Sequence, residues 1–243
     1  MGNKKPSILA IIPARKGSKG IARKNLRPIL GKPLITYTIE SALEAKWIEK
    51  VIVSTDDQQI ERICTRMGAE VINRPAQLAT DDSPVIDSVF HVLDFLKKEG
   101  YEPDIVVVLQ PTSPLRNVKD VEKAIALYVE NDCESLISVC ETKDSPYWAF
   151  RMARGFIKPL MGLGYLNKRR QELPRTLSPN GAIFISTPQS LSYYGDFYTN
   201  KTIPYLMPRM RSIDIDDELD LSLAERVMEG RLKRLPKSKK DSG

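Results

Sequence analysis

Short apolar runs alternate with amphipathic helical patterns along the first 140 residues, and this alternation is the strongest constraint on the fold. Ser7–Pro13 (SILAIIP) and Ile105–Gln110 (IVVVLQ) are continuously apolar, which is typical of strands buried on both faces of a sheet. The remaining predicted strands are Lys50–Ser54, Glu70–Asn73, Ser135–Cys140, Ala182–Ser186 and Ser212–Ile215. The predicted helices are Pro33–Trp47, Asp56–Met67, Asp82–Lys98, Val118–Asn131 and Asp217–Glu229. Strands separated by helices predict an α/β fold, with a mostly parallel sheet flanked by helices on both sides.

The chain is predicted to form a single domain over residues 1–230, followed by a basic tail. Residues 141–205 are rich in proline, glycine and aromatic residues, and we expect them to leave the sheet as a cap over the site or as a subunit contact. Residues 231–243 carry six cations and one acid, which accounts for five of the net charge of +6. The tail is therefore expected to be a flexible, solvated end, with a weak RNA or membrane-surface role as the alternative.

Several classes of protein are disfavoured by composition. The three cysteines are scattered without the spacing of a metal site, which indicates reduced thiols in a cytoplasmic protein. His91 is the single histidine, so a Ser-His-Asp or Cys-His nucleophile system is not expected. No apolar run approaches the ~18–20 residues of a membrane span, so no membrane partner is expected. Because the charge excess lies in the tail, no nucleic-acid partner is expected either.

A cation-rich loop, Ala14–Asn25, follows the first predicted strand. It interleaves glycines and a serine with five cations: Arg15, Lys16, Lys19, Arg23 and Lys24. Ligands of open parallel sheets bind at loops after the carboxyl ends of the strands, and glycine-containing turns let backbone N–H groups approach an anion. The loop has neither the Gly-Lys-Ser/Thr ending of a Walker A loop nor a Gly-x-Gly-x-x-Gly fingerprint. It predicts a polyphosphate site, and a solvated basic turn is the alternative.

Six segments in order resemble the CMP-acylneuraminate synthetases (acylneuraminate cytidylyltransferases). They are Ile11–Asn25, Val53–Asp56, Asn73–Ala76, Leu109–Arg116, Pro179–Ala182 and Ser212–Asp220. The resemblance implies a Rossmann-like sheet of the nucleotide-diphospho-sugar transferase type and a homodimer contact through the excursion. It also implies a Mg²⁺-dependent reaction of CTP with an acidic nine-carbon 2-keto sugar, of the sialic, legionaminic or pseudaminic type, to give the CMP-sugar and pyrophosphate.

The resemblance also assigns roles to individual residues. The implied nucleotide-binding residues are Arg15, Ser18, Lys19, Lys24, Asn25 and Arg74, of which Arg15 and Lys24 would act in catalysis by offsetting charge on the α-phosphoryl group. The implied sugar-binding residues are Gln110, Arg116, Arg170 and Asn180. An arginine suits the sugar carboxylate because its guanidinium can donate two parallel hydrogen bonds.

Asp214 and Asp216 are the predicted metal ligands and are also counted among the catalytic residues. If Ser212–Ile215 is a strand, alternation would place the two carboxylates on one face, about 6–7 Å apart. Mg²⁺ binds through one or two carboxylates together with substrate phosphates. The alternative is capping of the following helix, which accounts for Asp217 and Glu218 without requiring the earlier pair.

The sequence departs from the family pattern at Lys16, Ala22 and Ser178, and Pro84-Val85 interrupts the polar stretch after residue 81. The first two changes should leave phosphate binding intact. Two other functions remain open: a cytidylyltransferase for 3-deoxy-manno-octulosonate, whose loop differs from this one, and a non-catalytic nucleotide-binding protein.

Overall fold

The computed structural model describes residues 5–234. Its strands are β1 (Ile8–Pro13), β2 (Pro28–Ile29), β3 (Lys32–Pro33), β4 (Lys50–Thr55), β5 (Glu70–Asn73), β6 (Ile105–Val108), β7 (Ser135–Glu141), β8 (Phe150–Ala153), β9 (Phe156–Pro159), β10 (Leu177–Ser186) and β11 (Thr202–Leu206). Its helices are α1 (Leu34–Leu43), α2 (Gln58–Met67), α3 (Val85–Lys98), α4 (Val118–Val129), α5 (Pro188–Tyr194) and α6 (Glu218–Arg234).

The main sheet has seven strands in the order β11-β7-β10-β6-β1-β4-β5. β1 pairs in parallel with β4 and β6, and β4 pairs in parallel with β5. β10 runs antiparallel between β6 and β7, and β11 is parallel to β7. The mostly parallel sheet with flanking helices confirms the predicted fold class.

The continuous apolar runs are explained by two hydrophobic layers on opposite faces of the sheet. Along β1, Ile8, Ala10 and Ile12 pack into the layer that contains α1 and α4. Leu9 and Ile11 point to the other face and pack with α3. All five side chains are fully buried, so neither face of this strand can carry polar residues.

Helix ends are set by capping residues. Asp57 accepts hydrogen bonds from the backbone N–H groups of Gln59 and Ile60, so α2 begins after Asp57 and not at the predicted Asp56. Pro84 directly precedes α3, which therefore begins at Val85 and not at the predicted Asp82. α1 ends at Leu43, before the predicted Trp47.

The predicted excursion over residues 141–205 is too long. β10 and β11 both belong to the main sheet, so the part that leaves it runs over residues 142–176 and contains the β8–β9 hairpin. β11 was not predicted because Pro204 interrupts its pattern. β11 is an edge strand, where a proline is tolerated.

The predicted strand Ser212–Ile215 is wrong. This segment pairs with no strand among the described residues, and Ile215 N–H instead donates to the Thr112 carbonyl at 2.8 Å. α6 includes the first four residues of the predicted tail, whose remainder lies outside the described residues. Among residues 5–234, no helix combines the length and apolar character needed to cross a bilayer.

Candidate active site

A cavity of about 300 Å³ lies at the carboxyl ends of β1 and β6. It brings together six of the residues predicted to bind substrate: Arg15, Ser18, Lys24, Asn25, Arg74 and Gln110. Pro111 and Thr112 continue the wall beside Gln110, and Asp81 and Ser83 close the side next to Arg15. The cavity is where a doubly wound sheet is expected to bind its ligand.

The cation-rich loop is tied down by two acids that follow β4. Asp56 accepts the Lys16 backbone N–H at 2.7 Å, and Asp57 accepts from the Arg23 guanidinium at 2.7 Å. Although burial opposes it, donation from Arg23 and from the cap of α2 lowers the pKa of Asp57. Asn25 donates to the Arg15 carbonyl at 2.9 Å, which closes the loop on itself. The loop therefore holds a defined shape before any ligand binds.

Lys24 joins this loop to the acidic segment near the end of the chain. Its ammonium donates to the Ile215 carbonyl at 2.6 Å and to the Asp216 carboxylate at 3.1 Å. The Lys24 side chain is only 13% exposed. The structure thus places two predicted catalytic residues, Lys24 and Asp216, in direct contact.

Arg15 and Lys19 are paired with acids that the sequence analysis did not select. The Arg15 guanidinium contacts Asp81 at 2.9 Å and donates to the Thr80 carbonyl, and Lys19 lies 3.2 Å from Asp82. Lys19 is exposed and is not part of the cavity wall. The only sequence signal for Asp81 and Asp82 is an acid pair, which is common on solvated surfaces.

Arg74 is buried beneath the cavity floor at 7% exposure. Its guanidinium donates to the Ser54 hydroxyl at 3.1 Å and to the Ser54 carbonyl at 2.9 Å. Burial lowers the pKa of Arg74 to about 10, so it remains a cation at neutral pH. Arg74 is therefore an interior cation of the cavity and not an arginine of the solvated surface.

Asp214 is half-buried, whereas Asp216 is exposed, so the two do not lie on one face of a strand as predicted. Burial raises the pKa of Asp214, a hydrogen bond from the Thr112 side chain lowers it, and the nearby Asp216 raises it further. One carboxylate oxygen of Asp214, Oδ1, is buried without a hydrogen-bond partner. An unpartnered anionic oxygen beside a second carboxylate fits the donor set of a hard divalent cation.

Thr112 is a site residue that sequence reasoning missed. It lines the cavity, its side chain donates to Asp214, and its carbonyl holds Ile215. It lies within the Leu109–Arg116 segment, but nothing in a lone threonine indicates a carboxylate partner that is distant in the chain. Within residues 5–234 no group of three or more His, Cys, Asp or Glu side chains could hold a metal ion. Any cation at Asp214 and Asp216 would therefore need further ligands from a substrate.

Asn180 and Arg116, both predicted to bind the sugar, lie inside the protein at 3% exposure. The Asn180 amide accepts from Ser138 at 2.6 Å and donates to Ser212 at 2.8 Å. The Arg116 guanidinium is bonded to the Gln110 and Ala182 carbonyls. Except for Arg116 Nε, the polar groups of both side chains are bonded to protein partners, and neither residue lines the cavity, so direct sugar contact by Arg116 and Asn180 stays a prediction.

Arg170, the remaining predicted sugar ligand, is not brought to this cavity. It lies in a 3₁₀ turn, Arg170–Glu172, in the segment outside the sheet. It lines a separate pocket of about 180 Å³ together with Glu141 and Arg175. Within one chain, Arg170 and Gln110 therefore belong to different surfaces.

A model of the cytidylyltransferase family matches residues 9–208, which include the cation-rich loop, Arg74, Gln110 and β10. The chain belongs to the cytidylyltransferase family. CMP-N,N'-diacetyllegionaminic acid synthase of Legionella pneumophila is 36% identical over 226 residues, which cover 91% of this chain and 96% of that protein. N-acylneuraminate cytidylyltransferase of Escherichia coli is 35% identical over 218 residues, which cover 89% of this chain. The predicted resemblance to acylneuraminate cytidylyltransferases is confirmed.

Two further facts define the relationship within the cytidylyltransferase family. The chain spans about half the length of the N-acylneuraminate cytidylyltransferases it matches, 51% of the Escherichia coli protein. Among solved structures, a CMP:2-keto-3-deoxy-manno-octonic acid synthetase complexed with CTP superposes with a TM-score of 0.68 at 20% identity, covering 93% of this chain and 99% of that one. At this level of identity the likeness shows that the two chains share a fold.

Proposed function

We propose that this chain transfers a cytidylyl group from CTP to an acidic nine-carbon 2-keto sugar, releasing pyrophosphate. The observation that carries the proposal is the contact of Lys24 with Ile215 and Asp216, which joins a cation-rich loop to an acidic segment at one cavity. Relatives named for CMP-legionaminic acid and N-acylneuraminate chemistry, at 35–36% identity, support this class of acceptor.

In the proposed step, the anomeric hydroxyl oxygen of the sugar attacks the α-phosphorus of CTP. The bond from that phosphorus to the oxygen bridging the β-phosphate breaks, pyrophosphate leaves, and the hydroxyl proton passes to solvent. Arg15 and Lys24 would offset the negative charge of the phosphates, as electrostatic stabilisation of phosphoryl transfer requires. Ser18 and Asn25 would donate hydrogen bonds to the nucleotide, and buried Arg74 would bind on its base side.

Asp214 and Asp216 would hold Mg²⁺ in this reaction. The unpartnered Asp214 Oδ1 and the nearby Asp216 carboxylate support this assignment. When bound with substrate phosphates, Mg²⁺ would neutralise their charge and orient the triphosphate. Thr112 would keep the Asp214 carboxylate oriented through its hydrogen bond.

We also infer that the chain works as a homodimer through residues 142–176. Large apolar side chains of this segment face solvent in the single chain, including Met152 at 81%, Phe156 at 74% and Leu163 at 75% exposure. Several large exposed apolar side chains within residues 142–176 are more typical of a protein–protein contact than of a solvent-facing surface. Because the substrate is CTP, we place the reaction in the cytoplasm, which agrees with the free cysteines.

The direct test is pyrophosphate release from CTP and Mg²⁺ in the presence of a panel of acids: N-acetylneuraminic, legionaminic, pseudaminic and 3-deoxy-manno-octulosonic. We expect release with at least one nine-carbon acid and little with the eight-carbon acid. Asp214→Asn should reduce turnover by roughly two orders of magnitude or more, because it removes a charge from the phosphate site. Asp132→Asn, which removes an exposed carboxylate that pairs with Lys201 before β7, is the control and should retain wild-type turnover.

No release with any acid would refute the proposed activity. Faster release with the eight-carbon acid than with any nine-carbon acid would instead show that the acceptor is 3-deoxy-manno-octulosonate. A single-chain mass in solution at micromolar concentration would refute the dimer without touching the activity.

A further inference from the structure

Arg116 is a buried cation that joins three elements behind the cavity. Its Nη1 donates to the Ala182 carbonyl at 2.7 Å and to the Gln110 carbonyl at 3.2 Å. Its Nη2 donates to the Thr38 hydroxyl at 2.6 Å. The end of β6, the middle of β10 and helix α1 are thus connected by one planar guanidinium. A lysine could not make this set of bonds from one rigid group.

We propose that Arg116 and Thr38 form a positioning pair that fixes the acceptor wall, defined as Gln110 and the turn Asn180–Ala182. This proposal rests on the proposed function, because the acceptor acid would contact the wall through Gln110, which lines the cavity. Neither Arg116 nor Thr38 would touch the sugar. They would act by holding two backbone carbonyls, one from each side of the wall.

The acceptor wall is tight enough for such positioning to matter. Gly181 has a φ of +70°, and a Cβ atom placed on it would lie 2.8 Å from Asp214 Oδ2 and 3.1 Å from Gln110 Oε1. Arg116 Nη1 donates both to the carbonyl of Ala182, the residue after Gly181, and to the carbonyl of Gln110. Ser113 ties the residue before Gly181 to the same loop, because its hydroxyl donates to the Asn180 carbonyl at 3.1 Å.

Burying the charged guanidinium of Arg116 costs more free energy than burying an apolar side chain that fills the same space. It is 3% exposed, its Nε has no hydrogen-bond partner, and no carboxylate of the described residues lies within ion-pair distance of it. Burial lowers the pKa of Arg116 to about 9, although the nearby carboxylates of Asp120 and Asp214 act in the opposite direction. An apolar residue of similar volume often serves stability equally well at a buried ionic site. The three hydrogen bonds of Arg116 therefore indicate that this residue positions the acceptor wall.

Two threonines of α1 give a matched test. Thr38 is fully buried and accepts from Arg116, whereas Thr36 is 7% exposed and donates to the Pro33 carbonyl at 2.7 Å without contacting Arg116. Thr38→Val and Thr36→Val each remove one buried hydroxyl from the same helix. Only the first removes a partner of the guanidinium.

For Thr38→Val we expect the KM for the acceptor acid to rise roughly tenfold, the effect of losing one hydrogen bond to a charged group. The KM and Kd for CTP should stay within about twofold, since the loop cations are not touched. Arg116→Lys should raise the acceptor KM further for the same reason. Thr36→Val should change neither KM. Equal effects of the two threonine changes, or equal changes in the KM values for acceptor and CTP, would show that Arg116 is merely structural.

A second measurement does not depend on turnover. Amide hydrogen exchange of residues 112–113 and 181–183 in the free protein should speed several-fold in Thr38→Val and remain unchanged in Thr36→Val. If the wild type releases no pyrophosphate with any acid, the proposed function fails while this measurement still decides the positioning role. Identical exchange in the two variants would overturn the positioning pair even in an active enzyme.

Discussion

The backbone carbonyl of Asp216 occupies the space that a Cβ atom on Gly20 would need. The cation-rich loop and the acidic segment therefore meet main chain against main chain, and only glycine permits this approach. Any side chain at position 20 must push one segment away from the other. The contact lies beside the bond from Lys24 to Asp216, so a displacement would separate the phosphate and metal residues.

Gly20→Ala should therefore lower kcat/KM by roughly 100-fold, the cost of a displacement of about 1 Å at a phosphoryl-transfer site. Steady-state rates of pyrophosphate release measure this fall in kcat/KM. The control is Gly230→Ala in α6, since a Cβ there meets nothing within 4 Å and Gly230 does not line the cavity. Equal activity of the two variants would show that the loop and the acidic segment need not touch.

Gly181→Ala should shift the Mg²⁺ concentration for half-maximal activity upward, because the new Cβ would displace Asp214 Oδ2 from its position. A Mg²⁺ titration at saturating substrates measures this shift. Gly195→Ala is the control, since Gly195 has nearly the same φ, +68°, but no neighbour within 4 Å. Both variants should lose about 1–2 kcal/mol of stability to left-handed strain, and only Gly181→Ala should change the Mg²⁺ requirement.

Asp81→Asn should tighten the binding of CTP. Asp81 holds the Arg15 guanidinium at 2.9 Å, so phosphates that bind Arg15 must replace this carboxylate. An exposed ion pair contributes about 0.2–1 kcal/mol, which predicts a fall in Kd of up to roughly fivefold, shrinking at high salt. Titration calorimetry at low and high salt measures this Kd for CTP. Asp132→Asn is the control, since Asp132 makes a comparable exposed pair with Lys201 at 3.0 Å. Weaker binding to Asp81→Asn would mean that Asp81 orients Arg15 for the nucleotide.

His91 should titrate below its usual value of about 6.5, and its imidazole can be followed by NMR as the chain's single histidine. Burial lowers the pKa of His91, and the cation of Arg74 lowers it further. The unfolded chain therefore takes up the proton first as the pH falls. Stability should decrease as the pH drops below about 6.5, and the decrease should end below the folded-state pKa. Arg74→Met should raise the midpoint, and a wild-type midpoint at or above 6.5 would contradict the burial of this ring.

Local sequence patterns were enough to predict the architecture and the residues on the phosphate side of the cavity. Buried parallel strands must be apolar on both faces, so runs such as Ile8–Pro13 are visible without tertiary information. The loop Ala14–Asn25 is local as well, since its cations and glycines lie within a few residues of each other. Arg15, Ser18, Lys24, Asn25, Arg74 and Gln110 were therefore predicted together and lie together in the cavity.

Which of the predicted residues line the cavity and which lie behind it depends on contacts between distant parts of the chain. Lys24 meets the Ile215 carbonyl across 191 residues of chain, and Arg116 meets Thr38 across 78. Residue types alone could not show that Arg116 and Asn180 point inward, because an arginine or asparagine suits a ligand and a buried carbonyl equally well. The antiparallel β10, inserted between β6 and β7, brings Gly181 beside Gln110 and Asp214. Those contacts depend on strand order, which no local pattern encodes.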